Sequence, residues 1–528
     1  MKVAKRRIGD KEVFPFTIPS GIITTEVSVL ERIAWSVPEI GILTTKSIGP
    51  EPRAGNREPI LAEYAPHCFV NAVGLTNPGA EEFARRLKSI NIPREKFLLV
   101  SIFGKDAKEF ASVAEVLRPY ADGFELNLSC PHAKGYGMQL GQDPVLVKEI
   151  VEEVKKVCNK PVFAKLTPNT NNIADIARAA MNGGAYGLTA INTVGPGAFV
   201  FDGHYVLTNK VGGLSGRGIT PVGIKCVKEI ADALGDVPII GCGGIYTAQD
   251  VVSYAKAGAS FFGVGSALAG MNVDDMPAYF QNLANDVSAG TNIAEILLKT
   301  VDMKYKKFKV GEKISSAQDF HVLKMAEPLE ASPGQFVFAW IPGKGEKPFS
   351  VMDTHPLTIG FLERGCFTKE LAKLSKGDEL YFRGPYGNTV STSRHLVLVG
   401  GGSGIAGIYL FAKQNRAQIF VGAKDIAHVP CLDDLENMGD LHVATEDGSA
   451  GYKGFVSDLM RENLKVGDCF INCGPRPMLD AVLPIELPYR MRIYSSLDRM
   501  TRCGVGICGS CADDEGRRTC KEGPFMPQ

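Results

Sequence analysis

Two segments of this 528-residue chain put reactive side chains at spacings that favour chemistry. The first is Glu125-Leu-Asn-Leu-Ser-Cys-Pro-His132. Cys130 can give or take a proton where its surroundings tune the thiol. Asn127 both donates and accepts hydrogen bonds, as the edge of a ring bearing amide groups requires. A lone cysteine is more often a buried structural residue, so its neighbours must decide between the two. The second segment is Cys503-Gly-Val-Gly-Ile-Cys508-Gly-Ser-Cys511, followed after eight residues by Cys520. A C-x4-C-x2-C start with a fourth cysteine beyond is the spacing of plant-type [2Fe–2S] sites. Four thiolates also suit a structural zinc ion. The four-residue first gap and the glycines, which let a loop wrap closely and aim N–H groups at sulfur, favour the cluster.

Glycine-rich stretches form a third group. Gly212-Gly-Leu-Ser-Gly216, Gly243-Gly244 and Gly263-Val-Gly-Ser266 expose backbone N–H groups suited to a phosphate. Val399-Gly-Gly-Gly-Ser-Gly-Ile405 follows an apolar run and opens a helical stretch, the place for a dinucleotide phosphate. Lys165 stands inside the apolar run Phe163-Ala-Lys-Leu166, an unusual setting for a solvated rim charge.

The elements that must hold these residues follow from periodicity. Up to about residue 300, short apolar runs (Ile40–Thr45, Phe97–Phe103, Phe124–Leu128, Pro161–Leu166, Gly187–Ile191, Val237–Gly241, Phe261–Val264) alternate with amphipathic stretches such as Ala107–Leu117 and Val145–Val157. Strand and helix repeated about eight times predict a TIM (β/α)8 barrel, with chemistry where the strands end. Near residue 303 the text changes. Residues 303–392 read as a small antiparallel β-barrel broken by Pro and Gly. Residues 393–487 read as a doubly wound α/β nucleotide domain, and 488–528 as a compact cysteine-rich domain. The predicted class is therefore α/β, a barrel of residues 1–302 followed by this three-part module. Lys plus Arg and Asp plus Glu are equal at 58 each, which gives no basic surplus for nucleic acid or an anionic membrane. No signal peptide and no apolar run of spanning length is read, so a soluble cytoplasmic protein is expected.

Residues 15–290 resemble the class 1 dihydroorotate dehydrogenases. Asn127-Leu-Ser-Cys-Pro131 is similar to that family's active-site loop, and Thr45-Lys-Ser47 to its flavin-side lysine segment, with Gly55-Asn-Arg-Glu-Pro59 following. Asn71-Ala-Val-Gly-Leu-Thr-Asn-Pro-Gly79 resembles the loop that holds orotate, Ala164-Lys-Leu-Thr-Pro-Asn169 carries a second lysine, and Ile191-Asn-Thr193 a substrate amide and hydroxyl. The resemblance implies FMN, held by Ser20, Gly21, Lys46, Ser47, Asn127, Lys165 and Ile191, with Gly216, Gly243, Gly244, Gly265 and Ser266 as the phosphate cradle. It implies that dihydroorotate or orotate meets Lys46, Asn71, Val73, Gly74, Leu75, Asn127, His132, Asn192 and Thr193. A hydride would pass between dihydroorotate C6 and flavin N5, Cys130 removing the C5 proton as general base. Lys165 would place positive charge near the flavin N1–C2 edge. A homodimer through the barrel is likewise implied.

One residue departs from the pattern. Orotate enzymes of this class read Ser-Cys-Pro-Asn, and this chain has His132. Ser-Cys-Pro-His is typical of the related dihydropyrimidine dehydrogenases, which reduce uracil and thymine, and that reading stands as the alternative. Asn71–Gly79 has the orotate form and favours the first.

Residues 305–528 resemble the electron-transfer subunit of class 1B dihydroorotate dehydrogenase, whose short last cysteine gap this tail shares. Lys347-Pro-Phe-Ser-Val351 looks like its FAD motif, with Lys347 in place of the usual arginine, and Gly365-Cys-Phe-Thr368 like its pyrophosphate loop. The FAD contacts implied are Lys347, Pro348, Phe349, Ser350, Gly365 and Thr368. Those for NAD+ or NADH are Gly400, Gly401, Gly402 and Gly404 with Cys473, Gly474 and Pro475 of Cys473-Gly-Pro-Arg-Pro-Met478. Cys503, Cys508, Cys511 and Cys520 would ligate the [2Fe–2S] cluster. The implied electron order is dihydroorotate, FMN, cluster, FAD, NAD+.

Overall fold

The computed structural model describes residues 3–128, 140–392, 395–465, 467–489, 491–497 and 499–528. Two compact units divide the chain. The first holds Met1–Val301 with Val505–Arg517, the second Asp302–Gly504 with Arg518–Gln528.

In the first unit, among the described residues, eight parallel strands close into a barrel in chain order: β1 (Phe16–Ile18), β2 (Ile40–Thr44), β3 (Phe97–Ile102), β4 (Gly123–Asn127), β5 (Val162–Leu166), β6 (Gly187–Ala190), β7 (Ile239–Cys242) and β8 (Phe261–Gly263). Every residue of β2, β3 and β5 is buried. Such strands, covered on both faces, read as continuous apolar runs, which is why periodicity found them. β1 was not among the runs: three residues between Pro15 and Pro19 carry too little pattern.

Helices follow the strands. In the helix Ala107–Leu117 the buried residues Ala107, Phe110, Val113, Ala114 and Leu117 repeat at helical spacing, and the Asp106 side chain accepts the Glu109 N–H to cap the first turn. Asp143 caps the helix Pro144–Val157, whose first residue is a proline that lacks the N–H a first turn would leave unpaired. Thr247 and Asp250 form a reciprocal capping box at the helix Ala248–Ala257. A four-stranded sheet, Leu61–Ala65, Cys68–Asn71, Val211–Gly216 and Val194–Ala198 in spatial order, is inserted between barrel elements. It was not read from the sequence, because its strands are short, and Val194–Ala198 and Val211–Gly216 are interrupted by glycines.

In the second unit, six antiparallel strands between Lys306 and Tyr386 close a smaller barrel around Val337, Ala339, Leu357, Ile359 and Leu380. A seven-stranded sheet follows. Its central strand, Leu396–Gly401, lies between Ala417–Ala423 and Cys469–Cys473 and is parallel to both. Strand order therefore reverses at Leu396–Gly401, and the crevice at such a switch point is where open α/β sheets bind ligands. The last strand, Phe525–Pro527, joins antiparallel to Arg492–Ser496.

Candidate active site

At the carboxyl ends of the barrel strands a hydrogen-bonded chain of side chains crosses from strand to strand. Ser20 and Ser47 hydroxyls are 2.9 Å apart, as are those of Ser47 and Ser101. Ser101 donates to Glu125 at 3.1 Å, and Lys165 Nζ lies 3.4 Å from Glu125 Oε1. Asn127 donates to Ser47 Oγ at 3.0 Å and accepts from Asn192 at 3.2 Å. β3, β4 and β5 supply Ser101, Glu125 with Asn127, and Lys165, while Ser47 follows β2. Lys165 is 4% and Glu125 2% exposed, so neither charge is a rim charge. Ser101 and Glu125 were not picked out in sequence; a carboxylate inside the apolar run Phe124-Glu-Leu126 was the signal available. Lys46 is buried, and a Cβ on Gly21 would sit 3.4 Å from Lys46 Nζ, so Gly21 keeps that ammonium close to the backbone.

The glycines expected to cradle a phosphate are held by contacts that exclude a side chain. Gly216 has φ +93°, and a Cβ there would lie 2.0 Å from the His67 carbonyl oxygen. Gly244 has φ +73°, and its Cβ would meet Thr220 Oγ1 at 2.0 Å and the Gly216 carbonyl oxygen at 2.7 Å. The Thr220 hydroxyl donates to the Gly244 carbonyl at 3.0 Å, and Tyr254 OH donates to that of Gly243 at 2.7 Å. Ser266 is buried just after Gly265. Backbone so fixed fits a phosphate on N–H groups. Beneath it, the Cys242 thiol donates to the Ile191 carbonyl at 3.1 Å, and burial pushes its pKa up to about 11.

Residues expected to meet substrate come together through the inserted sheet. Asn71 donates to the Gly213 carbonyl at 3.2 Å, and a Cβ on Gly213 would strike Thr193 Oγ1 at 2.1 Å, so Asn71, Gly213 and Thr193 are neighbours. The Val73–Leu75 turn places Gly74 and Leu75 at φ +82° and +57°. Buried Asn77 supports it, donating to the Leu75 carbonyl and accepting from Gly49 and Gly79 N–H groups. Asn169, at the end of the Ala164–Asn169 segment, donates to the Thr193 carbonyl at 3.2 Å and accepts from Gly195 N–H at 2.9 Å. Cys130 and His132 lie outside the described residues.

A family profile described as "Dihydroorotate dehydrogenase" matches residues 7–285. The chain belongs to the dihydroorotate dehydrogenase family. It is accordingly an oxidoreductase. The dihydroorotate dehydrogenase B (NAD(+)) catalytic subunit of Pyrococcus horikoshii is 47% identical over 257 residues, covering 48% of this chain and 82% of the relative. The subunit of the same name from Methanocaldococcus jannaschii is 43% identical over 258 residues, covering 48% and 83%. Among solved structures, that of an NADH-dependent reduced ferredoxin-NADP oxidoreductase, described in connection with flavin-based electron bifurcation, is 30% identical. It covers 42% of this chain and 87% of its own, at a TM-score of 0.38.

The second unit has a cavity of about 860 Å³, lined by residues from its barrel and its sheet. Pro348, Phe349, Ser350 and Thr368 line one part, and Gly401, Gly402, Gly404, Cys473, Gly474 and Pro475 another. Arg364, Arg476 and Arg499 also line it, three guanidinium groups not picked out in sequence, and Lys347, Gly365 and Gly400 are not among the lining residues. A Cβ on Gly404 would meet the Cys473 carbonyl oxygen at 2.0 Å, so the glycine turn and Cys473-Gly-Pro pack backbone to backbone.

The cysteines of the tail fall in both units, Cys508 and Cys511 in the first and Cys503 and Cys520 in the second. All four are free of disulfides, and Cys503, Cys511 and Cys520 are buried. Gly504, Gly506 and Gly509 take left-handed φ of +81°, +77° and +70°. Among the described residues no group of three or more His, Cys, Asp or Glu is arranged to hold a single metal ion. Four reduced thiols on such a loop fit a cluster by donor type. Within the first unit, Ile23 N–H donates to the Ile507 carbonyl at 2.7 Å, Thr25 Oγ1 to that of Cys508 at 2.7 Å and Ser28 Oγ to that of Asp513 at 2.8 Å.

Proposed function

We propose that the chain oxidises (S)-dihydroorotate to orotate, a step of pyrimidine synthesis, and passes the electrons to NAD+ within one polypeptide. The observation that carries this reading is the buried Lys165–Glu125 pair joined through Ser101 and Ser47 to Asn127 and Asn192, beside the Gly216/Gly244 cradle. The likeness to the B-type (NAD(+)) catalytic subunits supports it. Bound FMN, a [2Fe–2S] cluster and bound FAD would supply the redox chemistry, in that order from dihydroorotate to NAD+.

The chain's own residues do the rest. Asn71, Asn127 and Asn192 with Thr193 hold the pyrimidine ring by its amide edges. Cys130 takes the C5 proton. Lys46 and Lys165 set positive charge beside FMN, and Gly216, Gly243, Gly244, Gly265 and Ser266 receive its phosphate. In the second unit, Pro348, Phe349, Ser350 and Thr368 hold FAD, and the Gly401–Gly404 turn with Cys473–Pro475 holds NAD+. Cys503, Cys508, Cys511 and Cys520 ligate the cluster.

The test is turnover of the anaerobically purified chain with NAD+ and either dihydroorotate or dihydrouracil, read as NADH absorbance. Dihydroorotate should turn over, and Cys130→Ser should lose that activity at neutral pH. Turnover of dihydrouracil but not dihydroorotate would overturn the substrate and make His132 the better guide.

A further inference from the structure

Arg383 is the most completely buried arginine of the small barrel, 1% exposed in its side chain, opposite Glu346 at 0%. Its Nε and Nη2 donate to the two carboxylate oxygens of Glu346 at 2.7 and 2.6 Å. An ion pair so enclosed costs much desolvation and is often no more stable than an apolar replacement. Neither Arg383 nor Glu346 lines the cavity of the second unit. What the pair does is visible at the remaining nitrogen. Arg383 Nη1 donates at 2.7 Å to the backbone carbonyl of Cys503, the first cysteine of the tail motif, and at 3.1 Å to Tyr386 OH.

A second observation meets the first at the next residue. The Arg383 guanidinium lies over the Phe338 ring at 4.0 Å and near the Tyr386 ring at 5.3 Å. A Cβ on Gly504 would touch those same two rings, at 3.0 Å each, and Gly504 has φ +81°. The peptide joining Cys503 to Gly504 is thus pinned at both ends, its carbonyl by a charged donor and its following Cα by two aromatic faces. In a planar trans peptide the N–H points opposite to the C=O. Holding the Cys503 carbonyl toward Arg383 therefore turns the Gly504 N–H away from it. Hydrogen bonds to the sulfurs are one of the levers that set cluster potentials.

We infer that Arg383, held by Glu346, is a positioning residue for the cluster loop: it fixes the Cys503–Gly504 peptide and thereby the retention and potential of the metal–sulfur group on Cys503. This rests on the proposal that the tail cysteines carry a cluster. Tyr305 OH donates to Glu346 at 2.6 Å and Tyr386 OH to the Asp302 carbonyl at 2.7 Å, so the chain entering the small barrel is tied to the same knot.

The experiment compares the full chain with the double variant E346L/R383M, which removes both charges and orphans neither, with Arg383→Lys, and with Tyr386→Phe. Readouts are iron and acid-labile sulfide per chain, iron loss to a chelator, the potential from an EPR-monitored redox titration, and FAD content as a control on the fold. With FAD content unchanged, E346L/R383M should hold iron about 10- to 100-fold less tightly and at a more negative potential. Arg383→Lys should fall between, since one ammonium cannot span Glu346 and the Cys503 carbonyl. Tyr386→Phe, which keeps the bond to Cys503, should match the parent. Parent-like iron retention and potential in a folded double variant overturn the inference. So do parent-like values in Arg383→Lys should the double variant fail to fold. A parent protein without iron and sulfide instead overturns the cluster reading, and the parent alone shows it.

Discussion

Lys165 and Glu125 are each nearly sealed from solvent, and their separation of 3.4 Å makes each the other's partner. Lys165→Met leaves Glu125 as a buried acid without compensation, which should cost about 3 kcal/mol of stability by chemical denaturation. E125Q/K165M should recover part of that loss and none of the turnover with dihydroorotate. Both results are needed, because a lysine that only balanced Glu125 would let the double variant regain activity. At this scale the sequence was informative for Asn127, Lys165 and Asn192, which stand in short motifs. It was not for Ser101, which contacts Glu125 and Ser47 only because strands 24 and 54 residues apart in sequence lie side by side.

Two elements carry predictions of their own. The Gly216 turn has φ +93° and a carbonyl where a Cβ would go. Gly216→Ala should cost about 1–3 kcal/mol in backbone strain and lower the FMN retained per chain on gel filtration. The helix Arg476–Glu486 ends in a carboxyl with no exposure, against Asn472 of the strand Cys469–Cys473. Asn472 donates to Glu486 Oε2 at 2.8 Å, while Glu486 Oε1 and Asn472 Oδ1 find no partner among the described residues. Burial raises the Glu486 pKa to about 8. The folded state therefore keeps a proton that the unfolded chain releases above its ordinary carboxylate range, near 4.5. This contribution to stability is full below that value and falls as pH rises toward 8. Glu486→Gln, whose amide can both accept from and donate to Asn472, should flatten that part of the melting-temperature profile. At pH 8 it should exceed the parent by about 1–3 kcal/mol.

On the scale of the whole molecule, the cysteine tail does not behave as an appendage. Ala512 packs in the hydrophobic core of the first unit at 5% exposure, and Gly509 and Gly516 are pressed so close to the carbonyls of Ile23 and Ser28 that a Cβ would stand 2.0 and 2.7 Å from them. A charge at Ala512, more than 200 residues beyond Val301 in sequence, should therefore loosen the barrel. Ala512→Asp is expected to destabilise the first unit by about 3 kcal/mol. Faster hydrogen exchange in Val27–Ser36 should report it, with exchange in Leu396–Gly401 unchanged.

The amino-acid sequence by itself determined the barrel class and the family. Strands buried on both faces write unbroken apolar runs, and a phosphate cradle needs glycines at the ends of such runs. The C-x4-C-x2-C spacing of the tail was legible because it is local in sequence. Only the tertiary structure decided which buried charges face one another, that the inserted sheet brings Asn71 beside Gly213, and that residues 505–517 pack with Ile23–Ser28. Those contacts join segments up to 485 residues apart. They depend on hydrogen-bond geometry and the absence of a Cβ at single positions, and neither leaves a period or a composition to read.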